Sequence, residues 1–181
     1  TIAGVGLLPD VDQMATIAFK QPGDDILLIG GYGGHLGQSM AQRILTGGDY
    51  GAPPPVDLAL ERKNGDFVRT LIRSGDVTAC HDISTGGLGV ALAEMAITGK
   101  MGATCTLPAD TARILFAEDQ ARYVICCQGD RRAMILDAAE KAGITIETIG
   151  KTGGQNLQIG ASLSIEELTN AYENWFPAFM A

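Results

Sequence analysis

A helix that is apolar on every side must be covered on every side, and residues 88–98 have that character. After Gly86 and Gly87, the residues Leu88, Val90, Ala91, Leu92, Ala93, Met95, Ala96 and Ile97 reach all faces of a 3.6-residue repeat, with Glu94 the main interruption. The segment is expected to form the central helix of the chain, buried all round, with the other elements layered about it. With 181 residues, 46% of them hydrophobic, the chain is long enough for one such core and favours one compact domain over two.

The flanking sequence supplies the layers. Two apolar runs, residues 15–19 and 26–29, are joined by Gln21-Pro22-Gly23-Asp24, which predicts a hairpin. Glycines 30, 31, 33 and 34 lead to a short helix around 36–45, and Pro53-Pro54-Pro55 marks a loop. Asp66 is expected to cap a helix carrying Phe67, Val68, Leu71 and Ile72, which ends toward Gly75. Strands are expected at 77–83, 103–107, 122–127, 144–149 and 156–159. Asp130 is placed to cap a helix closed by Gly143. Ser164 and Glu167 form a capping box, with Leu163 and Leu168 spaced as a hydrophobic staple, so a last helix starts at Ser164. Interspersed strands and helices, with a hairpin and a late strand pair, predict an α+β layered domain whose mixed sheet packs against helices.

Composition excludes several roles. The net charge is −8 and the Lys and Arg residues are scattered singly, so the basic footprint of a nucleic-acid binder is missing. No apolar run approaches the roughly 20 residues of a membrane-spanning helix. Cys80, Cys105, Cys126 and Cys127 form no C-x-x-C pair and sit in apolar contexts, which suits buried free thiols in a reducing cytoplasm. The sequence opens at Thr1 in mid-phrase, so residues 1–13 are read as a connecting segment from a longer chain and 14–181 as a single domain.

Chemistry is concentrated at the strand end that precedes the apolar helix. Asp82 is positioned to face a ligand or metal, Ser84 or Thr85 to donate hydrogen bonds, and Gly86-Gly87 to bring backbone amides to a phosphate. The plain structural reading is that Asp82 or Ser84 caps the helix and the glycines permit close packing. Residues 30–37 are glycine-rich but lack the Gly-Lys-Ser/Thr ending of a Walker loop. His35 and His81 have no metal-ligand spacing and read as structural histidines, and Arg122 reads as a surface or strand-end ion pair.

Residues 81–94, HDISTGGLGVALAE, resemble the signature of the last domain in the synthetase subunit of the phosphoribosylformylglycinamidine synthase family. Supporting phrases lie in the expected order at 4–8, 25–30, 34–39 and 115–124, and in the Trp-bearing tail at 174–181, so the likeness covers essentially the whole chain. The family belongs to the aminoimidazole ribonucleotide synthetase superfamily, whose members pair an N-type with a C-type domain. The chain resembles the second C-type domain. A selenophosphate synthetase relative is the alternative within that superfamily.

The resemblance implies an ATP-dependent carbon–nitrogen ligase of purine biosynthesis. It would convert formylglycinamide ribonucleotide and glutamine-derived ammonia to formylglycinamidine ribonucleotide, with ATP and Mg2+ as cofactors. It further implies upstream domains of the same polypeptide, a glutaminase subunit and a small accessory subunit as partners. The family's catalytic histidine and most ATP ligands lie in N-type domains, so no catalytic residue is assigned to this chain. Asp82 is the counterpart of a magnesium ligand, and Glu118, Asp119 and Gln120 match a substrate-contacting Glu-Ser-Gln phrase. Asp119 departs from that serine and adds a charge, which points to an auxiliary pseudosite at Asp82, Ser84, Thr85, Gly86 and Gly87. Trp175, Phe176 and Phe179 are expected to dock the last helix onto the core or a neighbouring domain.

Overall fold

The computed structural model describes residues 3–108 and 111–180. In chain order the elements are β1 (Asp25–Ile29), α1 (Met40–Thr46), α2 (Leu58–Arg73), β2 (Ala79–Asp82), α3 (Gly87–Gly99) and β3 (Ala103–Cys105). There follow α4 (Thr111–Phe116), β4 (Tyr123–Cys127), α5 (Gly129–Ala142), β5 (Ile146–Thr152), β6 (Asn156–Ile159), β7 (Ala161–Ser164) and α6 (Ile165–Met180). The strands join in one sheet in the order β2-β4-β1-β5-β3-β6-β7. Neighbours are antiparallel except β3 and β6, which run parallel, so the sheet is mixed.

β1 explains the layering. All five of its residues are buried. Ile26 and Leu28 enter the core that contains Leu88, Leu92 and Met95 of α3, while Leu27 and Ile29 enter the one that contains Val68 of α2 and Ile135 of α5. A strand covered on both faces needs apolar side chains at every position, which is why 26–29 read as an unbroken run and not an alternation. β4 repeats the pattern, with Val124 and Cys126 on one side and Ile125 and Cys127 on the other. The result is the expected α+β architecture, a mixed sheet between helical layers.

Three expectations about elements change. Residues 15–19 form no hairpin with β1. The turn at 21–23 exists, but both edges of β1 are taken, by β4 and β5, so the earlier segment runs elsewhere. Its backbone bonds to α3 and β2 instead, Phe19 N–H to the Met95 carbonyl at 3.2 Å and Cys80 N–H to the Thr16 carbonyl at 3.1 Å. Second, α2 begins well before Asp66. Its cap is Asp57, whose Oδ1 accepts from the amides of Ala59 (2.9 Å) and Leu60 (3.1 Å). The first turns carry exposed Leu58 and Leu60, so no apolar period announced them, and Asp66 instead pairs with Arg69 at 2.7 Å. Third, α5 starts at Gly129 with Gln128 at its cap, and Asp130 lies in the first turn. For α4 and β7 there was no expectation, both being too short to show a period.

The capping box at the start of α6 is present. Ser164 Oγ accepts from the Glu167 amide at 3.1 Å, and Glu167 Oε2 accepts from the Ser164 amide at 2.8 Å. Beyond residue 169 the helix is exposed, with Trp175 stacked on Phe179 at 5.5 Å between ring centroids. These aromatics therefore do not dock onto the chain's own core. α3 is likewise not buried all round. Leu88, Leu92 and Met95 are fully covered, but Val90 is 37% exposed and, with Ala93, Phe116, Ile159 and Leu163, lines an apolar groove of about 600 Å3. Of the expected connecting segment, residues 1 and 2 lie outside the described residues, as does residue 181 of the tail; residues 3–13 are exposed.

Candidate functional site

The turn from β2 into α3 brings two other parts of the chain together. β2 ends at Asp82, the Gly87 amide donates to the Ser84 carbonyl at 3.0 Å, and Gly86 and Gly87 take φ values of +86° and +74°. A Cβ at Gly87 would stand 2.6 Å from the Leu115 carbonyl oxygen and 2.7 Å from that of Ala117, so only glycine lets the helix start against this neighbour. That neighbour leads into residues 117–122, which hold the substrate-motif counterparts.

Within this loop the two acidic side chains reach outward to backbone. Glu118 Oε1 accepts from the Gly86 amide and from the Met40 amide, each at 2.8 Å. Asp119 Oδ2 accepts from the amides of Gly34 (2.7 Å) and His35 (2.9 Å). Partial burial works to raise the Asp119 carboxyl, but the two amides and the Arg122 charge outweigh it and hold its pKa below the ordinary value. Gln120 is exposed.

Arg122 is a correction to its expected surface role. It is 2% exposed and donates to three carbonyls, from Nε to Asp119 (3.0 Å), from a terminal nitrogen to Tyr32 (2.9 Å), and from the other to Ala117. Burial lowers its pKa and Asp119 offsets part of that effect. A guanidinium offers five donors in a fixed fork, which suits it to gather carbonyls from three chain segments.

Two residues of α2 that the sequence did not single out complete the loop. Ala121 adopts φ +60°, and its peptide is held from both sides. Glu61 Oε1 accepts from the Ala121 amide and Asn64 Nδ2 donates to its carbonyl, both at 2.8 Å. Asn64 is 1% exposed. Its signal was present as a polar residue on the 64, 68, 71 stripe whose other members, Val68 and Leu71, are core.

The histidines are engaged structurally. His35 Nε2 lies 2.7 Å from the Ala52 carbonyl oxygen. His81 bridges two carboxylates, with Nε2 at 2.8 Å from Glu94 Oε2 and Nδ1 at 3.3 Å from Asp82 Oδ1. Glu94, the interruption in the apolar helix, thus has a partner on β2. Burial pushes the thiols of Cys80 and Cys127 up to about 11 and that of Cys105 to about 12, and all four cysteines are free, as inert buried thiols would be.

A nucleotide with Mg2+ does not fit the proposed cradle from this chain alone. The Gly86 and Gly87 amides already donate within the chain, as do those of Gly34 and His35. The Asp82 side chain is 65% exposed, and among the described residues no three His, Cys, Asp or Glu side chains gather as a metal ion would require. Asp82, Ser84 and Thr85 remain as exposed side chains at the rim of the turn.

Comparison with known proteins agrees with this architecture. The family model described as AIR synthase related protein, C-terminal domain, matches residues 21–160. The chain is 51% identical over 185 residues to phosphoribosylformylglycinamidine synthase subunit PurL of Allorhizobium ampelinum, and 51% identical over 183 residues to that of Brucella ovis. Each alignment covers 99% of this chain and 25% of the relative. The chain thus spans about a quarter of the length of the curated relatives it matches. Among solved structures, Thermotoga maritima PurL complexed with FGAR superposes with a TM-score of 0.72 at 18% identity, over 88% of this chain and 30% of that one, which shows the shared fold. A matched segment spanning most of the sheet and half-identity along nearly the whole length place this chain in the family of AIR synthase related proteins, as a C-terminal domain of that kind.

Proposed function

We propose that this chain acts as the second C-type domain of the synthetase subunit of phosphoribosylformylglycinamidine synthase, shaping the enzyme without carrying its reacting groups. The observation that carries this reading is the 51% identity to PurL subunits over 99% of the chain. The reaction proposed for the whole polypeptide is ATP-dependent amidation. The amide oxygen of formylglycinamide ribonucleotide is phosphorylated, ammonia attacks the activated carbon, and phosphate leaves. Such chemistry relies on positioning and charge stabilisation more than on a covalent nucleophile.

ATP and Mg2+ belong, in this reading, mainly to upstream domains of the same polypeptide. The chain contributes a rigid surface whose exposed Asp82, Ser84 and Thr85 side chains face a neighbouring domain. Asp82 is the one residue proposed to approach a cation there, and Glu118, Asp119 and Gln120 belong to the supporting half. A glutaminase subunit supplying ammonia, a small accessory subunit and a cytoplasmic setting complete the proposal. Support for such an assembly comes from a solved structure of PurLQS from Thermotoga maritima that shares this fold. No helix among the described residues is long and apolar enough to cross a membrane.

The test is an assay for formylglycinamidine ribonucleotide with ATP, Mg2+ and ammonium. A polypeptide joining this chain to the upstream domains of its relatives is expected to turn over, and the 181-residue chain is not. Turnover by the chain alone would refute the division of labour.

A further inference from the structure

Two glycine-rich segments of this chain have the composition of anion cradles, residues 30–37 and the turn at 86–87. Both are approached by the same dipeptide. Glu118 takes the amides of Gly86 and Met40 on one oxygen, and Asp119 takes those of Gly34 and His35 on one oxygen, four bonds between 2.7 and 2.9 Å. The fit is close. A Cβ at Gly33, where φ is +69°, would stand 2.6 Å from Asp119 Oδ2 and 2.8 Å from a terminal nitrogen of Arg122.

The surroundings favour negative charge. The buried Arg122 lies against the Asp119 backbone, Arg113 Nε donates to the Gly34 carbonyl at 2.6 Å, and the charge of Glu118 is felt at Arg43. Backbone amides converging on one oxygen beside guanidinium groups are what a bound phosphate would meet. Here that oxygen is the protein's own.

We infer that Glu118 and Asp119 are built-in anions that fill the two glycine cradles, so that these loops hold a ligand-bound shape without ligand and exclude phosphate groups from outside. The inference concerns the loops of this chain and stands or falls separately from the proposed ligase role. The depressed pKa of Asp119 agrees with it, since donors aimed at a carboxylate favour its charged form.

The experiment is amide-resolved NMR of the 181-residue chain titrated with inorganic phosphate and with pyrophosphate. The wild-type chain is expected to show no saturable shift at the amides of Gly34, His35, Met40 and Gly86. The double variant Glu118→Ala with Asp119→Ala frees the four donors and is expected to show saturable shifts at them. Saturable shifts in the wild type would overturn the inference, and so would a folded double variant that stays silent. If the double variant does not fold, Asp119→Asn keeps the acceptor oxygen and removes the charge. Hydrogen exchange at Gly34 and His35 should then rise roughly tenfold, because charged acceptors bind about twice as strongly as neutral ones. Unchanged exchange would overturn the inference.

Discussion

The loop at residues 117–122 and the second half of α6 treat their surroundings in opposite ways. In the loop, two carboxylates, a guanidinium and the Ala121 peptide all find partners within the chain, drawn from α2, the glycine segment and the start of α3. Along α6, Tyr172, Trp175, Phe176 and Phe179 are each more than half exposed, and the groove beside Val90 is bare as well. The hydrogen bonds of this loop are made within the domain, with the buried Asn64 Oδ1 left over, whereas the apolar surface of the second half of α6 and the groove has no cover from the described residues of the chain. A buried polar group without a partner is strongly destabilising, so such networks close locally, while an apolar face tolerates water at a smaller penalty per group.

The comparison breaks most readily at Arg122. Replacing it with Met leaves the carbonyls of Asp119, Tyr32 and Ala117 without their donor and removes the positive charge beside the Asp119 carboxylate, and the expected loss is roughly 3–5 kcal/mol, read from urea denaturation. Within α3 the contrast can be drawn along one helix. Leu92→Ala, at a fully buried position, is expected to lose about 2–5 kcal/mol, and Val90→Ala under about 1 kcal/mol; equal losses would mean that the Val90 face is covered. Ala121→Gly relieves a left-handed residue already held at both ends, and stability should rise by up to about 1 kcal/mol in thermal unfolding.

A smaller effect depends on pH. The folded-state pKa of Asp119 lies below its ordinary value of 3.8, so its contribution is complete above that value and is lost as pH falls through the folded pKa. Denaturation curves taken through that acid range should show a smaller loss for Asp119→Asn than for the wild type. The smallest effect is expected at the other pole. Trp175→Ala, on the exposed helix, should move the stability of this chain by less than about 0.5 kcal/mol, and a larger change would show that the aromatic cluster is covered in solution.

Much of the layering was legible because its causes are local. Residues 26–29 and 122–127 were expected as strands from their apolar runs, the packing of both faces being seen only in the fold, and the Ser164-Glu167 box marks a helix start through bonds three residues apart. The resemblance carried by residues 81–94 named the family. The site was legible only as a list of residues. Asp82, Gly86 and Glu118 were singled out, but not that Glu118 would sit in the cradle the glycines form, because that contact joins positions 32 residues apart. Asp119 meets the glycine segment across 85 residues, and Asn64 meets Ala121 across 57.

By itself, then, the sequence determined which segments must be buried, where helices with side-chain signals begin, and which family the chain resembles, since periodicity, capping and motif are properties of neighbours along the chain. Tertiary structure decided which strand edges were free, so that residues 15–19 were left outside the sheet, and which side of an all-apolar helix stayed bare. It also decided that Glu118 and Asp119, read as counterparts of a substrate motif in an auxiliary pseudosite, accept from backbone amides of the chain itself, because the direction of a carboxylate is set by whichever donors the folded chain brings within reach.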